Sequence, residues 1–76
     1  MQFKVGAKET TRMLELRRAV EVYIARDADS RMKDKIVHLC EQAGVPVKWV
    51  ETKAILGETC GIEVAAATAA LVSERE

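Results

Sequence analysis

The stretch Gly6-Ala7-Lys8-Glu9-Thr10-Thr11-Arg12 carries the densest set of groups able to do chemistry. A glycine ahead of a helix leaves backbone N–H groups exposed at the helix's positive end, which suits a phosphate. Lys8 and Arg12 are four residues apart and share one helical face near that end. Glu9 stands among these cations. It can form an ordinary intrahelical pair, or its carboxylate can accept hydrogen bonds from the N1–H and N2–H edge of a guanine. On spacing alone a solvated, charge-paired helix face is the simpler reading.

Other reactive residue types point less far. Asp27 and Asp29 follow an apolar run at a spacing of two. A carboxylate pair there can bind metal or act as acid and base, but helix capping is the commoner role. His38, the one histidine, falls between Ile36 and Leu39 at the edge of a buried helical face, where a structural or solvent-facing role is expected. Cys40 and Cys60 are too few for a disulfide framework or a zinc ribbon and read as reduced packing residues. Gly57-Glu58-Thr59-Cys60-Gly61 lacks the lysine-serine or lysine-threonine that completes a phosphate loop. No serine sits in a nucleophile elbow. The expectation is a non-enzymatic protein without cofactor or metal.

The scaffold for these groups has to be small. Seventy-six residues make one domain, too short for a cofactor domain or a deep two-lobed cleft. Lys and Arg total 12 and Asp and Glu total 12, so no general positive field holds this chain to nucleic acid. A small basic face backed by an acidic one remains open. No apolar run reaches the ~18 residues of a membrane span. Met1-Gln2-Phe3-Lys4 lacks the apolar core of a signal peptide, so a cytoplasmic protein without membrane contact is expected.

Periodicity supplies the elements. Gln2–Val5 alternates as a short edge strand, and Gly6 interrupts it before a helix that has run out by Ala19. Val20–Ala25 is the clearest strand, rich in β-branched residues and nearly continuous in its apolar run, as burial on both faces requires. Asp29 or Ser30 caps the next helix, in which Met32, Ile36, Leu39, Cys40 and Ala43 recur at helical steps, and Gly44 closes it. Val45–Val50 is a second strand, with Pro46 suited to an edge or first position. A short helix begins at Glu51 or Thr52, and Gly57 and Gly61 bracket a five-residue loop. The alanine-rich Val64–Val72 reads as a buried strand. The order β-α-β-α-β-α-β predicts a three-layer α/β/α sandwich.

Three stretches, GAKETTR (6–12), VYIARDAD (22–29) and LGETCGIEVAAA (56–67), together resemble the kink-turn-binding ribosomal protein family of the archaeal L-seven-Ae type, its small bacterial members above all. The resemblance covers Gln2 to Val72 and implies an α/β/α sandwich with a four-stranded mixed central sheet, forming one kink-turn-binding domain over 1–76. A kink-turn is an internal loop with tandem sheared G·A pairs beside a bulge, which bends the RNA axis sharply. By the resemblance, Lys8 and Glu9 contact the edges of the sheared guanines and Arg12 reaches a guanine or a nearby phosphate. Gly6 lets the backbone approach, and Lys53 lies near the bulge phosphates. Glu58, Thr59, Cys60, Gly61 and Ile62 form a second RNA-contacting loop, with Ile62 packed on bulge bases, and Asp29 bonds an extruded base. Such contacts read shape and unpaired bases.

The implied partner is structured RNA, ribosomal or regulatory, the ribosome being one place for it, with the protein a monomer or a weak homodimer. A compact site of three or four cations implies a shallow salt dependence. Departures from the pattern carry their own expectations. Lys8 stands for the asparagine of archaeal members, which turns a base contact toward phosphate. Glu58, where many relatives have a cation, and Glu63 near the loop tip should weaken binding by ~1 kcal/mol each. The family's preceding helix has no counterpart before the first strand, so the face it would cover is expected to be exposed. The rival reading is a protein–protein interaction module on the same fold.

Overall fold

The computed structural model describes residues 1–73. Seven elements follow in the expected order: β1 (Gln2–Val5), α1 (Ala7–Glu15), β2 (Ala19–Ala25), α2 (Ser30–Ala43), β3 (Val47–Val50), α3 (Lys53–Cys60) and β4 (Thr68–Val72). The sheet runs β1-β4-β2-β3, with β4 antiparallel to both its neighbours and β2 parallel to β3. It follows that β1, β2 and β3 all point the same way. Pro46 lies just before the edge strand β3, where its missing N–H costs nothing, and its carbonyl accepts from Val22 N at 3.0 Å.

The crossovers decide the layers. Chain steps from β1 to β2 to β3 move across the sheet in one direction, so right-handed connections put α1 and α2 on the same face. The return from β3 to β4 puts α3 on the other. Alternation along β2 serves both sides. Val22 and Ile24 join Met13, Leu14, Ile36, Cys40, Ala70 and Val72 under α1 and α2. Ala25 joins Ala28, Leu56 and Ala66 under α3. The protein is thus a three-layer α/β/α sandwich around a four-stranded mixed sheet. Beside α3, Phe3 and Tyr23 meet edge-to-face with ring centres 5.4 Å apart, both half-buried.

Two threonines are fully buried, and they differ in what their hydroxyls find. Thr68 Oγ1 donates to the Tyr23 carbonyl at 2.7 Å, whereas Thr10 Oγ1 on α1 has no partner among the described residues. One substitution should therefore act with opposite signs. Thr10→Val removes an unsatisfied buried hydroxyl and is expected to raise stability by about 1 kcal/mol. Thr68→Val, which discards a made hydrogen bond, should lower it by a similar amount. Thermal unfolding of the two variants checks the pair.

The structure redraws the C-terminal third. Residues 57–61 are not a loop: α3 continues through Gly57 to Cys60, and Gly61 (φ 78°) ends it. Gly61 N donates to the Glu58 carbonyl and Ile62 N to the Gly57 carbonyl, the two bonds of a Schellman motif. Gly57 is required for closeness instead, since a Cβ there would run into the carbonyl of Val64. Nor is Val64–Ala67 strand. Val64 lies against Gly57, and Ala66 N donates to the Lys53 carbonyl, so the backbone as far as Ala66 is held to α3; the Ala67 carbonyl then accepts from Ala25 N of β2 at 2.9 Å, and the ladder begins at Thr68, opposite Ile24. Val45 follows the Gly44 cap of α2, its N–H bonded back to the Cys40 carbonyl, and β3 starts two residues later.

Candidate nucleic-acid interface

Because β1, β2 and β3 are parallel and each is followed by a helix, the N-termini of α1, α2 and α3 meet at one edge of the sheet. The register fixes the alignment: Val5 opposes Ala69, Ala25 opposes Val50, and Ile24 opposes Thr68. The chain from Gly61 to Ala67 returns along α3 to the same edge. Open α/β sheets characteristically bind ligands beyond the carboxyl ends of their strands.

Each helix start is built differently. Gly6 (φ 107°, ψ 156°) sits in a region essentially confined to glycine, its N–H bonded to the Thr68 carbonyl at 2.9 Å, and no side chain caps the helix it opens. The first-turn N–H groups of α1 are thus left for another acceptor. Asp29 caps α2, accepting from Met32 N at 3.1 Å, and Thr52 caps α3, accepting from Ile55 N at 3.1 Å. Asp27 caps at a distance, its carboxylate accepting from Lys53 N at 2.9 Å and fastening α3 to the β2–α2 loop. Both aspartates therefore have structural jobs, as their spacing suggested.

Lys8, Arg12, Asp29 and Lys53 are exposed and Glu9 is half-exposed, so the charged groups singled out in the sequence all reach solvent. Gly6, Lys8, Glu9, Asp29 and Lys53 gather at this edge, and the Lys53 carbonyl ties the returning loop to it. Glu58, Thr59 and Cys60 instead occupy the last turn of α3. Thr59 Oγ1 is engaged with the Ile55 carbonyl at 2.9 Å, and the half-buried Cys60 packs on the core beneath α3. Ile62 is half-buried against the same core.

Neither thiol is poised to react. Burial pushes Cys40 up to about 11 and also raises Cys60, so both stay protonated at neutral pH. Tyr23 is raised by its hydrogen bond to Glu21 and by burial. His38 is exposed on α2. Among the described residues no three His, Cys, Asp or Glu side chains cluster as metal ligands do, and no helix is long and apolar enough to cross a membrane. Sequence reasoning missed Arg26, which follows β2 at this edge. Its guanidinium lies 5.5 Å from the Trp49 ring centre and 3.0 Å from Glu51, both groups exposed. An arginine flanked by an aromatic from the neighbouring strand β3, 23 residues further along the chain, has no local signature.

The whole chain, residues 1–76, matches the model of the ribosomal protein L7Ae/L30e/S12e/Gadd45 family. The chain belongs to this family. Its relatives include the RNA-binding protein of Caldanaerobacter subterraneus subsp. tengcongensis, 42% identical over 93% of this chain and 88% of that one. RNA-binding protein YbxF of Geobacillus stearothermophilus is 38% identical over 90% and 83%. Among solved structures, the Giardia lamblia 15.5kD RNA binding protein superposes with a TM-score of 0.83 at 29% identity, covering 97% of this chain and 62% of that one. A Bacillus halodurans protein of unknown function reaches a TM-score of 0.87 at 20% identity over 96% and 73%, a likeness of fold alone. Relatives bear the names of RNA-binding proteins, not of enzymes.

Proposed function

We propose that this protein binds structured RNA and, within it, recognises the kink-turn, using the sheet edge where α1, α2 and α3 begin. The observation that carries the reading is the start of α1. A glycine-only backbone conformation, first-turn N–H groups with no side-chain cap, and Lys8 and Glu9 stand together on a family fold whose relatives are RNA-binding proteins. In this reading Lys8 neutralises phosphate, while the Glu9 carboxylate accepts from the N1–H and N2–H edge of a sheared guanine. Only an unpaired or sheared guanine leaves that edge free. The same carboxylate would be repelled by phosphate, so Glu9 contributes selectivity as well as affinity.

The other site residues take supporting roles. Lys53 faces the bulge phosphates, Asp29 an extruded base, and Ile62 with the returning loop offers apolar contact to bulge bases. Glu58, Thr59, Cys60 and Gly61 hold that loop from the end of α3. By binding the bent form alone, the protein shifts the RNA from its extended to its kinked state. Titration with a kink-turn RNA and with a control whose sheared G·A pairs are replaced by Watson–Crick pairs tests the reading. Binding should be tight for the first and lost for the second. Equal binding of both would overturn it, and binding of neither would favour a protein partner at this edge.

A further inference from the structure

Between α1 and α2 runs an open groove of about 650 Å³, floored by Met32 and Ile36 and bordered by four cations: Lys8 and Arg12 from α1, Arg31 and Lys35 from α2. Each pair is four residues apart, so its members stand about 6 Å apart along their helix. Both helices follow parallel strands and therefore run in the same sense, with Lys8 and Arg31 near the edge where the helices begin. All four cations are exposed, and among the described residues none has a carboxylate within 4.0 Å. Among the described residues Glu15 is the one acidic residue on the rim. A chain with equal numbers of positive and negative side chains has thus gathered a third of its 12 cations on one groove.

We infer that this groove holds the sugar–phosphate backbone of an RNA strand as it leaves the kink, with Arg31 and Lys35 as phosphate contacts. The inference rests on the RNA-binding reading above. Its own support is the array of cations. Glu9, one residue from Lys8, is turned about 100° round α1 and does not line the groove. Base reading and backbone holding are therefore assigned to different sides of one helix, which meet at its N-terminus. A strand whose guanine edge lies on Glu9 has its phosphates on the Lys8 side and can continue between the helices. Contacts of this kind position the RNA and carry no sequence information. The bond to each phosphate is electrostatic, so losing it reduces affinity and salt dependence together.

The test is the affinity of wild-type protein and of R31Q/K35Q for the kink-turn RNA and its Watson–Crick control across a range of salt. The double variant should bind the kink-turn roughly tenfold more weakly at physiological salt. Its slope of log affinity against log salt should be shallower by about 1 to 2, with its preference for the kink-turn kept. R31E/K35E should lose more, and matching thermal melts would show that both variants fold. Wild-type affinity and slope in R31Q/K35Q would overturn the groove assignment while Glu9→Ala still acted at the helix start. Equal binding of both RNAs by the wild type would instead overturn kink-turn recognition, and the altered slope of R31Q/K35Q would stand apart from it.

Discussion

Glu9→Ala is expected to weaken binding to a kink-turn RNA by about 1.5–3 kcal/mol, roughly 10- to 150-fold, without lowering the protein's melting temperature. The magnitude is that of a charged acceptor losing two donors on a base edge. Stability should hold because Glu9 is half-exposed and its side chain makes no hydrogen bond or ion pair among the described residues. Removing a carboxylate from a polyanion's binding site would, on net charge alone, tighten binding. The sign of the change therefore decides between base recognition and a diffuse field. Replacing the contacted guanine by inosine deletes the N2 amino group. Combined with Glu9→Ala it should cost less than the sum of the two single changes, because both remove one interaction. Arg18→Ala, just past the far end of α1, serves as control and should change affinity little.

Gly57→Ala is expected to destabilise the fold by about 2 kcal/mol, lowering the melting temperature by roughly 10 °C. Helix propensity predicts the opposite, since alanine in a helix interior is favoured over glycine by about 1 kcal/mol. The contact with Val64 outweighs that gain. The atom that a Cβ would meet is a backbone carbonyl oxygen, which cannot swing aside as a side chain would. Relief requires the returning loop to lift from α3, and that loop is fastened to the Lys53 carbonyl through Ala66. The same variant should lose RNA affinity, because the displaced segment includes Ile62 and the returning loop, which belong to the proposed RNA-binding surface. A melting temperature equal to or above wild type would show that the loop does not lie against Gly57.

What the sequence revealed and what it concealed divide along the range of the interactions. β2 was legible because its β-branched run is a local signal, and α2 because Asp29 and Gly44 cap a clear helical period. Order of elements and layer count followed from these. Gly57 misled because glycine has two uses, a permissive backbone and a missing side chain, and the one at work here depends on a residue seven positions away. The alanines before Thr68 favour helix on propensity, and their pattern could not show that Ala66 N bonds to α3 while the Ala67 carbonyl bonds to Ala25 on β2. Capping is the commoner role for an aspartate in that loop, but only the fold shows that Asp27 accepts from Lys53 N at the start of a helix 26 residues further along.

The site divides the same way. Lys8, Glu9 and Arg12 could be grouped because helical spacing is a local rule. Their convergence with Lys53 and the returning loop required the topology. Nothing local in the sequence singles out Arg31 and Lys35, and only the packing of α2 beside α1 sets them across a groove from Lys8 and Arg12. Neutral net charge hid this concentration.

Bending of the RNA separates kink-turn recognition from general RNA binding. A kink-turn labelled with donor and acceptor fluorophores at its two helical ends should report end-to-end distance as protein is added in buffer without divalent cations. Kink-turn recognition predicts a rise in transfer efficiency that saturates with binding and is absent in the Watson–Crick control. Saturated binding with no change in transfer, or the same change in both RNAs, would contradict it.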